Sequence, residues 1–308
     1  MSVLLCPGQG AQKVGMGRDL AERFPAARDT FQAIDEALGV PLSRVMWDGP
    51  EAELTLTHNA QAAILAHTCA VLSVVGERLG PVVAAAGHSL GEYSAYVAAG
   101  SLTPTDGARV VRRRGELMLE AGQARAGAMA AVIGLGAAEV AAHCAAAASE
   151  GEVVVPANLN APDQTVISGD PAAVARAGDA CRAAGAKRVL PLKVSGAFHS
   201  PLMAPAVPGL RAALEAAAFA APRFPVVANA TALPVRDITR ARALLAEQVV
   251  SPVRWVECMQ TCRVDHPRAR FLEVGPGSVL SGLLKRIVPG TRGVTLGTAD
   301  EVEKFLAA

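Results

Sequence analysis

The sequence predicts an α/β protein in which a mostly parallel sheet, flanked by helices, is interrupted by a small domain. Three observations lead to this fold class. Short apolar runs alternate with helical patterns along most of the 308 residues. A middle segment follows the order βαββαβ. Hydrophobic residues make up 51% of the chain, enough for a substantial core. This length fits one large domain carrying a smaller one.

The strands of the large domain are predicted from apolar runs that end in glycine-rich turns and lead into helical patterns. They are Val3–Leu5, Val82–Ala86, Val226–Ala228 and Phe271–Val274. Such alternation is typical of a parallel sheet covered by helices. In sheets of this kind, functional residues gather at the carboxyl ends of the strands.

The middle segment has the elements of a ferredoxin-like domain. In chain order they are the strand Ala128–Ile133, the helix Ala137–Ala148, the strands Val153–Asn158 and Gln164–Ser168, the helix Pro171–Ala184 and the strand Arg188–Val194. Glycine- and alanine-rich stretches bound the segment at Gly122–Gly127 and Ser195–Ala197. We therefore expect an insert over 127–195 and a discontinuous large domain over 1–126 and 196–308.

Composition and termini argue against several classes of protein. Lys and Arg (29) nearly balance Asp and Glu (28), so charge gives no reason to expect nucleic acid or a membrane surface as the main partner. The six cysteines are scattered, and the spacing of Cys258 and Cys262 does not complete a zinc site. We expect free thiols, no metal and a reducing compartment. The start of the chain lacks a basic region, and no apolar stretch is long enough to cross a bilayer. We thus expect a soluble, cytoplasmic protein.

The candidate nucleophile is Ser89, in the run Gly87-His88-Ser89-Leu90-Gly91. The run follows a predicted buried strand and precedes a helical pattern over Glu92–Ala99. Strand, G-x-S-x-G and helix together form the context of a nucleophile elbow, where the free N–H groups of the helix favour an oxyanion. The alternative is a small-residue turn in which Ser89 only caps the helix.

A serine nucleophile needs a general base, and His199 is the best placed of the six histidines. It lies in a loop after a predicted strand, and Ser200 and Pro201 have the pattern of a helix start. His88 adjoins the nucleophile, but its side chain is expected to point away and support the turn. A loop histidine without catalytic function remains the alternative for His199. No acidic partner for it is evident, which leaves room for a dyad oriented by a backbone carbonyl.

Arg114 is predicted to lie on the wrong face of a helix for a charged residue. In the helical pattern Thr103–Ala121 it falls near the centre of an apolar arc formed by Val110–Val111 and Leu117–Met118. A buried guanidinium is costly unless it meets an anion. Either a protein carboxylate or a substrate carboxylate satisfies this requirement, and the fork of Arg suits bidentate binding of either one.

The loop Pro7–Gln12 follows the first strand and does not fit a dinucleotide site, because Lys13 stands where G-x-G-x-x-G needs glycine. We interpret it as a loop whose backbone N–H at Gln9 supplies a second oxyanion donor. A plain strand–helix connection is the alternative.

These motifs together resemble the malonyl-CoA:acyl-carrier-protein transacylase family, which includes the acyltransferase domains of polyketide synthases. The matches occur in the family's order across nearly the whole chain: PGQGAQ at Pro7–Gln12, GHSLGEYSA at Gly87–Ala95, Arg114-Gly115, NLNAPDQTVIS at Asn158–Ser168, GAFHSP at Gly196–Pro201, QVVSPVRW at Gln248–Trp255 and EVGPG at Glu273–Gly277. One departure is Gln61-Ala62, where the family usually has Gln-Pro.

The resemblance implies an α/β-hydrolase-like large domain with a ferredoxin-like insert, and a role for each matched residue. Ser89 would be the nucleophile and His199 the base. The substrate-binding residues would be these: Arg114 for the malonyl carboxylate, Gln9 and Leu90 for the oxyanion, Gln248 for holding the His199 ring through its carbonyl, Phe198, which is similar to malonyl-selective members, and Asn160.

The implied reaction is ping-pong transfer of malonyl from malonyl-CoA to the phosphopantetheine thiol of acyl carrier protein, through a malonyl-serine. It needs no cofactor, serves fatty-acid or polyketide synthesis, and fits a monomer. Carrier proteins of this kind are usually acidic, so Lys187-Arg188 and Lys285-Arg286 are candidates for docking, although such pairs can equally be solvated surface. The rival functions are a serine esterase or thioesterase, and a non-catalytic scaffold that binds the carrier protein.

Overall fold

A computed structural model describes residues 1–308, apart from the side chain of Glu77. Strands β1 to β10 span Ser2–Cys6, Val82–Gly87, Ala128–Ile133, Val154–Ala161, Gln164–Gly169, Arg188–Pro191, Val226–Val227, Pro234–Val235, Arg270–Val274 and Gly293–Leu296. Helices α1 to α14 span Arg18–Arg23, Pro25–Leu38, Leu42–Asp48, Glu51–Thr55, Thr57–Val75, Gly91–Ala98, Pro104–Ala124, Ala137–Ala147, Pro171–Ala183, Ala206–Ala216, Ile238–Glu247, Trp255–Asp265, Val279–Ile287 and Ala299–Leu306. The expected α/β class is confirmed.

The larger sheet has the strand order β10-β9-β1-β2-β7-β8. Its strands run parallel except β8, which pairs antiparallel with β7. The central strand β1 is buried on both faces: Leu4 belongs to one core cluster, and Val3 and Leu5 belong to another. Helices therefore cover both faces, as parallel sheets require. The parallel register brings the ends of β1, β2 and β9 to one edge of the sheet.

The two longest helices, α5 and α7, pack against each other, and α7 contributes Arg114 to the core. Helix α5 is buried on nearly every side, which is the mark of a helix inside a core rather than on its surface. Helix α7 packs against it and starts with Pro104 in its first turn, while the hydroxyl of Thr103 caps the N–H of Asp106. Its apolar arc faces inward, so Arg114 is buried with it.

The smaller sheet is antiparallel, with the strand order β4-β5-β3-β6. Helices α8 and α9 pack on it around an apolar cluster of their own. Strand β6 ends at Pro191, three residues before the predicted end at Val194. The N–H of Leu192 still donates to Met129 of β3 (2.9 Å), but that of Val194 donates to the nearby carbonyl of Leu192 (3.1 Å), so the chain turns away from the sheet. Strand β4 contacts the rest of the molecule through Val253, whose N–H donates to Ala157 (2.8 Å) and whose carbonyl accepts from Leu159 (2.9 Å).

None of the helices in the described residues is long and apolar enough to cross a membrane. In the same part of the chain, no group of three or more His, Cys, Asp or Glu side chains is arranged to hold a metal ion. Cys258 and Cys262 instead pack in the apolar cluster beside strands β1 and β2.

Candidate active site

Ser89 lies on a sharp turn between strand β2 and helix α6. Its φ of 53° is in the left-handed region, a strained conformation that clusters at functional sites. The turn also requires residues without a side chain at Gly87 and Gly91, because other backbone atoms pass close to both. A Cβ on Gly87 would lie 1.9 Å from the carbonyl carbon of Gly91, and a Cβ on Gly91 would lie 2.1 Å from the carbonyl oxygen of Cys6. The strand–turn–helix context expected of an elbow is thus present, with the hydroxyl at the carboxyl end of β2.

His199 is the imidazole that meets this serine. Its Nε2 lies 2.8 Å from Ser89 Oγ, and its Nδ1 lies 2.9 Å from the carbonyl oxygen of Gln248 and 3.2 Å from that of Ser251. Because carbonyl oxygens only accept, Nδ1 carries the proton and Nε2 is free to accept from the serine hydroxyl. Within the described residues no carboxylate bonds to the ring, so backbone carbonyls occupy the position that an acid holds in a triad.

The surroundings of His199 keep it uncharged. The ring is only 3% exposed. Burial, followed by the positive charge of Arg114, lowers the pKa of His199 to about 3, although the two carbonyl contacts act in the opposite direction. A neutral imidazole is the form that can take a proton from a serine. The loop that carries it continues into a short 3-10 helix over Pro201–Met203, capped by Ser200, as the sequence predicted.

Arg114 reaches the nucleophile from helix α7. Its Nη1 donates to Gln61 Oε1 (2.6 Å), and its Nη2 donates to Gln248 Oε1 (2.9 Å) and to Ser89 Oγ (3.1 Å). Its Nε is buried without a partner. The guanidinium, 1% exposed, forms no ion pair with any described carboxylate. A structural ion pair, one of the two explanations left open by the sequence, is therefore not what holds this buried charge.

Two buried polar residues that the sequence did not single out lie beneath the nucleophile. Asn229 Oδ1 accepts from the N–H of Ser89 (2.7 Å), and its Nδ2 donates to the carbonyl of Gly87 (2.7 Å). Glu92 Oε2 accepts from the N–H of Asn229 (2.9 Å) and from Gln248 Nε2 (2.7 Å). Asn229 follows the buried strand β7 at the same edge of the sheet, which is the signal that could have identified it.

Two backbone N–H groups beside Ser89 have no partner among the described residues, those of Gln9 and Leu90. Gln9 lies in the loop after β1, and its side chain accepts from Thr57 Oγ1 (3.0 Å). Leu90 immediately precedes helix α6. Unpartnered N–H groups next to a nucleophile are the donors that an oxyanion requires.

Ser89 opens into a cleft of about 290 Å³ that runs between the two sheets. Phe198, Met118 and Met129 give it apolar walls, and Lys193 and Gln12 also line it. Asn160, expected to bind substrate, is not among the residues that line this cleft and bonds to His88, with Oδ1 2.8 Å from Nε2. The residue of strand β4 that lines the cleft is Asn158, which the sequence did not single out.

His88 packs away from the hydroxyl, as expected from the sequence. Its ring lies 5.5 Å from the ring of Trp255, centroid to centroid. Burial lowers the pKa of His88, while the contact with Asn160 raises it. The contacts with Asn160 and Trp255 therefore hold the His88 ring in place beside the turn.

Comparison with known proteins gives consistent matches in sequence and structure. A family model described as the acyl transferase domain matches residues 3–298. The malonyl CoA-acyl carrier protein transacylase of Bacillus subtilis (strain 168) is 42% identical over 299 residues, which cover 97% of this chain and 94% of that protein. The protein of the same name from Escherichia coli (strain K12) is 46% identical over 286 residues, with coverage of 92% and 91%.

The fold matches solved structures equally well. A malonyl transacylase in complex with its type II polyketide synthase acyl-carrier protein superposes with a TM-score of 0.94 at 41% identity, covering 99% of this chain and 98% of that one. The malonyl CoA-acyl carrier protein transacylase of Coxiella burnetii superposes with a TM-score of 0.94 at 37% identity, covering 99% and 96%.

Proposed function

Because the chain belongs to the acyl transferase family, we propose that it transfers the malonyl group of malonyl-CoA to the phosphopantetheine thiol of acyl carrier protein. Relatives at 42% and 46% identity carry the name of this activity. The observation that carries the proposal is the unpaired guanidinium of Arg114, 3.1 Å from Ser89 Oγ. An esterase has no need of a buried cation at this place, whereas a malonyl thioester brings a carboxylate to it.

In the first half-reaction Ser89 Oγ attacks the thioester carbonyl while His199 Nε2 takes the hydroxyl proton. The carbonyls of Gln248 and Ser251 hold the imidazole and favour its charged form once the proton arrives. The tetrahedral oxyanion accepts from the N–H groups of Gln9 and Leu90. The carbon–sulfur bond then breaks, and His199 returns the proton to the coenzyme A thiolate, which leaves malonyl on Ser89 as an ester.

The second half-reaction reverses these roles. The phosphopantetheine thiol gives its proton to His199 and attacks the ester, and the serine oxygen leaves with that proton. A thioester is regenerated, so the exchange needs neither an external energy source nor a cofactor. Ping-pong kinetics follow, because coenzyme A must leave before the second thiol can enter.

Arg114 sets the choice of acyl group in this proposal. The malonyl carboxylate replaces the Ser89 hydroxyl as a partner of the guanidinium once that oxygen is esterified. Gln61 and Gln248 hold the guanidinium by neutral carbonyl oxygens, which orient it without neutralising its charge. Phe198 closes the apolar wall beside the acyl group, and Asn160 supports the site through His88.

The finer fold assignment is part of the same proposal: an α/β-hydrolase-like large domain over 1–126 and 196–308, with a ferredoxin-like insert over 127–195. The antiparallel strand order β4-β5-β3-β6, with α8 and α9 packed on that sheet, supports the insert. We also propose a cytoplasmic location, which suits a chain whose cysteines are free and buried.

Of the two basic pairs considered for docking the carrier protein, Lys187-Arg188 is the better candidate. Both residues are exposed at the start of strand β6. Arg286, in the other pair, already donates to Gln164 Oε1 (2.6 Å) and forms an ion pair with Asp163. A charge that is already paired has less to offer an acidic partner.

The test is to follow malonyl-CoA with and without holo-acyl carrier protein and to quantify each product. We expect malonyl-carrier protein as the main product and little free malonate when the carrier protein is omitted. Free malonate at a rate equal to or above that of transfer would instead indicate a thioesterase.

A further inference from the structure

Glu92 is a buried acid in the site, and the proposed mechanism assigns it no role. It lies in the first turn of helix α6, is fully buried, and forms no ion pair with any described cation. Oε2 accepts two hydrogen bonds, and Oε1 is buried without a partner. A carboxyl group in such a place is expensive to bury, so what it contacts is informative.

We propose that Glu92 is a positioning residue that fixes the side-chain amide of Gln248, and through it the guanidinium of Arg114. This inference depends on the proposed malonyl transfer and assigns a residue that controls its acyl selectivity.

The argument starts from the two unlike ends of the Gln248 amide. Its Nε2 donates to Glu92 Oε2 (2.7 Å), which is the shortest of its contacts, and to the carbonyl of Ser89 (3.0 Å). A longer contact joins the same Nε2 to Asn229 Oδ1 (3.3 Å). Its Oε1 accepts from Arg114 Nη2 (2.9 Å). Rotating the amide by half a turn would set its NH2 against the guanidinium, where both groups only donate, and its oxygen against the oxygens of Glu92 and Ser89.

Glu92 thus favours the amide orientation in which Oε1 of Gln248 faces Arg114 and accepts a hydrogen bond from its guanidinium. Burial raises the pKa of Glu92 to about 7, while its contacts with Asn229 and Gln248 and the charge of Arg114 act in the opposite direction. A proton would settle on Oε1, which has no partner, so both bonds to Oε2 survive protonation. The orientation of Gln248 therefore holds in either charge state.

Gln248 also connects Glu92 with the base, because its carbonyl accepts from His199 Nδ1 (2.9 Å). A loosened Gln248 side chain would disturb His199 for every acyl group, but it would disturb Arg114 only for acyl groups that carry a carboxylate. Loss of Glu92 should consequently cost malonyl transfer more than acetyl transfer. That difference separates positioning of Arg114 from a general effect on folding.

The test compares Glu92→Ala and Glu92→Gln with a control, Ser94→Ala, in the same helix. Ser94 is buried and its Oγ has no partner, so its loss removes no hydrogen bond. For each protein, kcat/KM is measured with malonyl-CoA and with acetyl-CoA, using holo-acyl carrier protein as acceptor. The same measurements are made in the Arg114→Ala background.

We expect Glu92→Ala to lower malonyl kcat/KM by about 10- to 100-fold, the usual effect of losing a hydrogen bond to a charged group. Acetyl transfer should fall less, so that the malonyl/acetyl ratio drops about tenfold. Glu92→Gln keeps one acceptor oxygen and should recover most of the ratio, and Ser94→Ala should match the wild type. In the Arg114→Ala background, Glu92→Ala should leave the ratio unchanged.

Equal losses for both acyl groups, or a drop in ratio that persists without Arg114, would overturn the inference. If Glu92→Ala does not fold, Glu92→Met takes its place, because it has a similar size but no acceptor oxygen: a ratio well below that of Ser94→Ala supports the inference, and an equal ratio refutes it. The wild-type arm reports separately on the proposed function, because a wild-type protein that does not transfer malonyl contradicts that function whatever the variants do.

Discussion

Replacing Arg114 by alanine should convert a malonyl-selective site into one that no longer distinguishes malonyl from acetyl. The guanidinium is buried, lies 3.1 Å from the nucleophilic oxygen, and is held by two amide oxygens rather than by a carboxylate. Its charge is thus free for a substrate anion. A buried hydrogen bond to a charged group contributes about 1.5–3 kcal/mol, or about 10- to 100-fold in kcat/KM.

The assay is competition between malonyl-CoA and acetyl-CoA for one holo-acyl carrier protein, read as the ratio of the two products. Arg114→Ala also leaves the oxygens of Gln61 and Gln248 without a donor, so acetyl transfer should fall somewhat as well. The ratio cancels this shared loss. Arg113→Ala is the matched control: it lies next to Arg114 but is exposed, and it pairs only with Glu116 and Glu120 on its own helix.

The expected outcome is a malonyl/acetyl ratio that falls at least about tenfold in Arg114→Ala and remains at the wild-type value in Arg113→Ala. Melting temperatures of both variants establish that each is folded. An unchanged ratio in a folded Arg114→Ala protein would refute the assignment of Arg114 as the carboxylate receptor.

Three further predictions concern pH and packing. Because the pKa of His199 is lowered to about 3, the single-turnover rate of acylation should change little from pH 8 to 5; a loss of about 30-fold with a midpoint near pH 6.5 would indicate an ordinary imidazole instead. Burial lowers the pKa of His67 to about 4. Above about pH 6.5 its ring is neutral in both the folded and the unfolded chain. Below that pH only the unfolded chain binds the proton readily, so the free energy of unfolding falls as the pH falls. Urea unfolding of His67→Gln should therefore show about 2–3 kcal/mol less loss between pH 6.5 and 4.5 than the wild type, and parallel curves would contradict this. Gly91→Ala should be destabilised by more than about 2 kcal/mol or fail to fold, because its Cβ would lie 2.1 Å from Cys6 O. Its control is Gly282→Ala in helix α13, where a Cβ meets no atom within 4 Å and the free energy of unfolding should rise by about 0.5–1 kcal/mol. Equal effects of the two substitutions would contradict the close approach at the turn.

The features that could be predicted from the sequence are those set by local pattern. The turn at Ser89 is specified by two glycines between a buried strand and a helix. Arg114 could be identified because helical periodicity alone places it among apolar neighbours. The end of strand β6 is predicted wrongly at Val194, because the apolar pattern continues to that residue although the chain turns at Leu192, whose carbonyl accepts from the N–H of Val194.

The support beneath the nucleophile could not be predicted, because it is built from contacts between distant segments. Asn229 bonds to Ser89 across 140 residues of sequence. Its place after a buried strand puts it at the functional edge of the sheet, but does not indicate which residue it contacts. Glu92 stands in the first turn of a helix, where an acid is ordinary, and only the tertiary structure reveals that it is buried. The hydrogen bond between Asn160 and His88 is likewise a contact between distant segments, which the sequence does not indicate.

The most direct test of the whole account is to locate the acyl group after malonyl-CoA alone is added. Intact-protein mass spectrometry followed by peptide mapping should find one malonyl group per chain, attached to Ser89, and none in Ser89→Ala. Addition of holo-acyl carrier protein should then discharge it onto the carrier thiol. An adduct on another residue, or no adduct together with continued transfer, would contradict a mechanism that passes through Ser89.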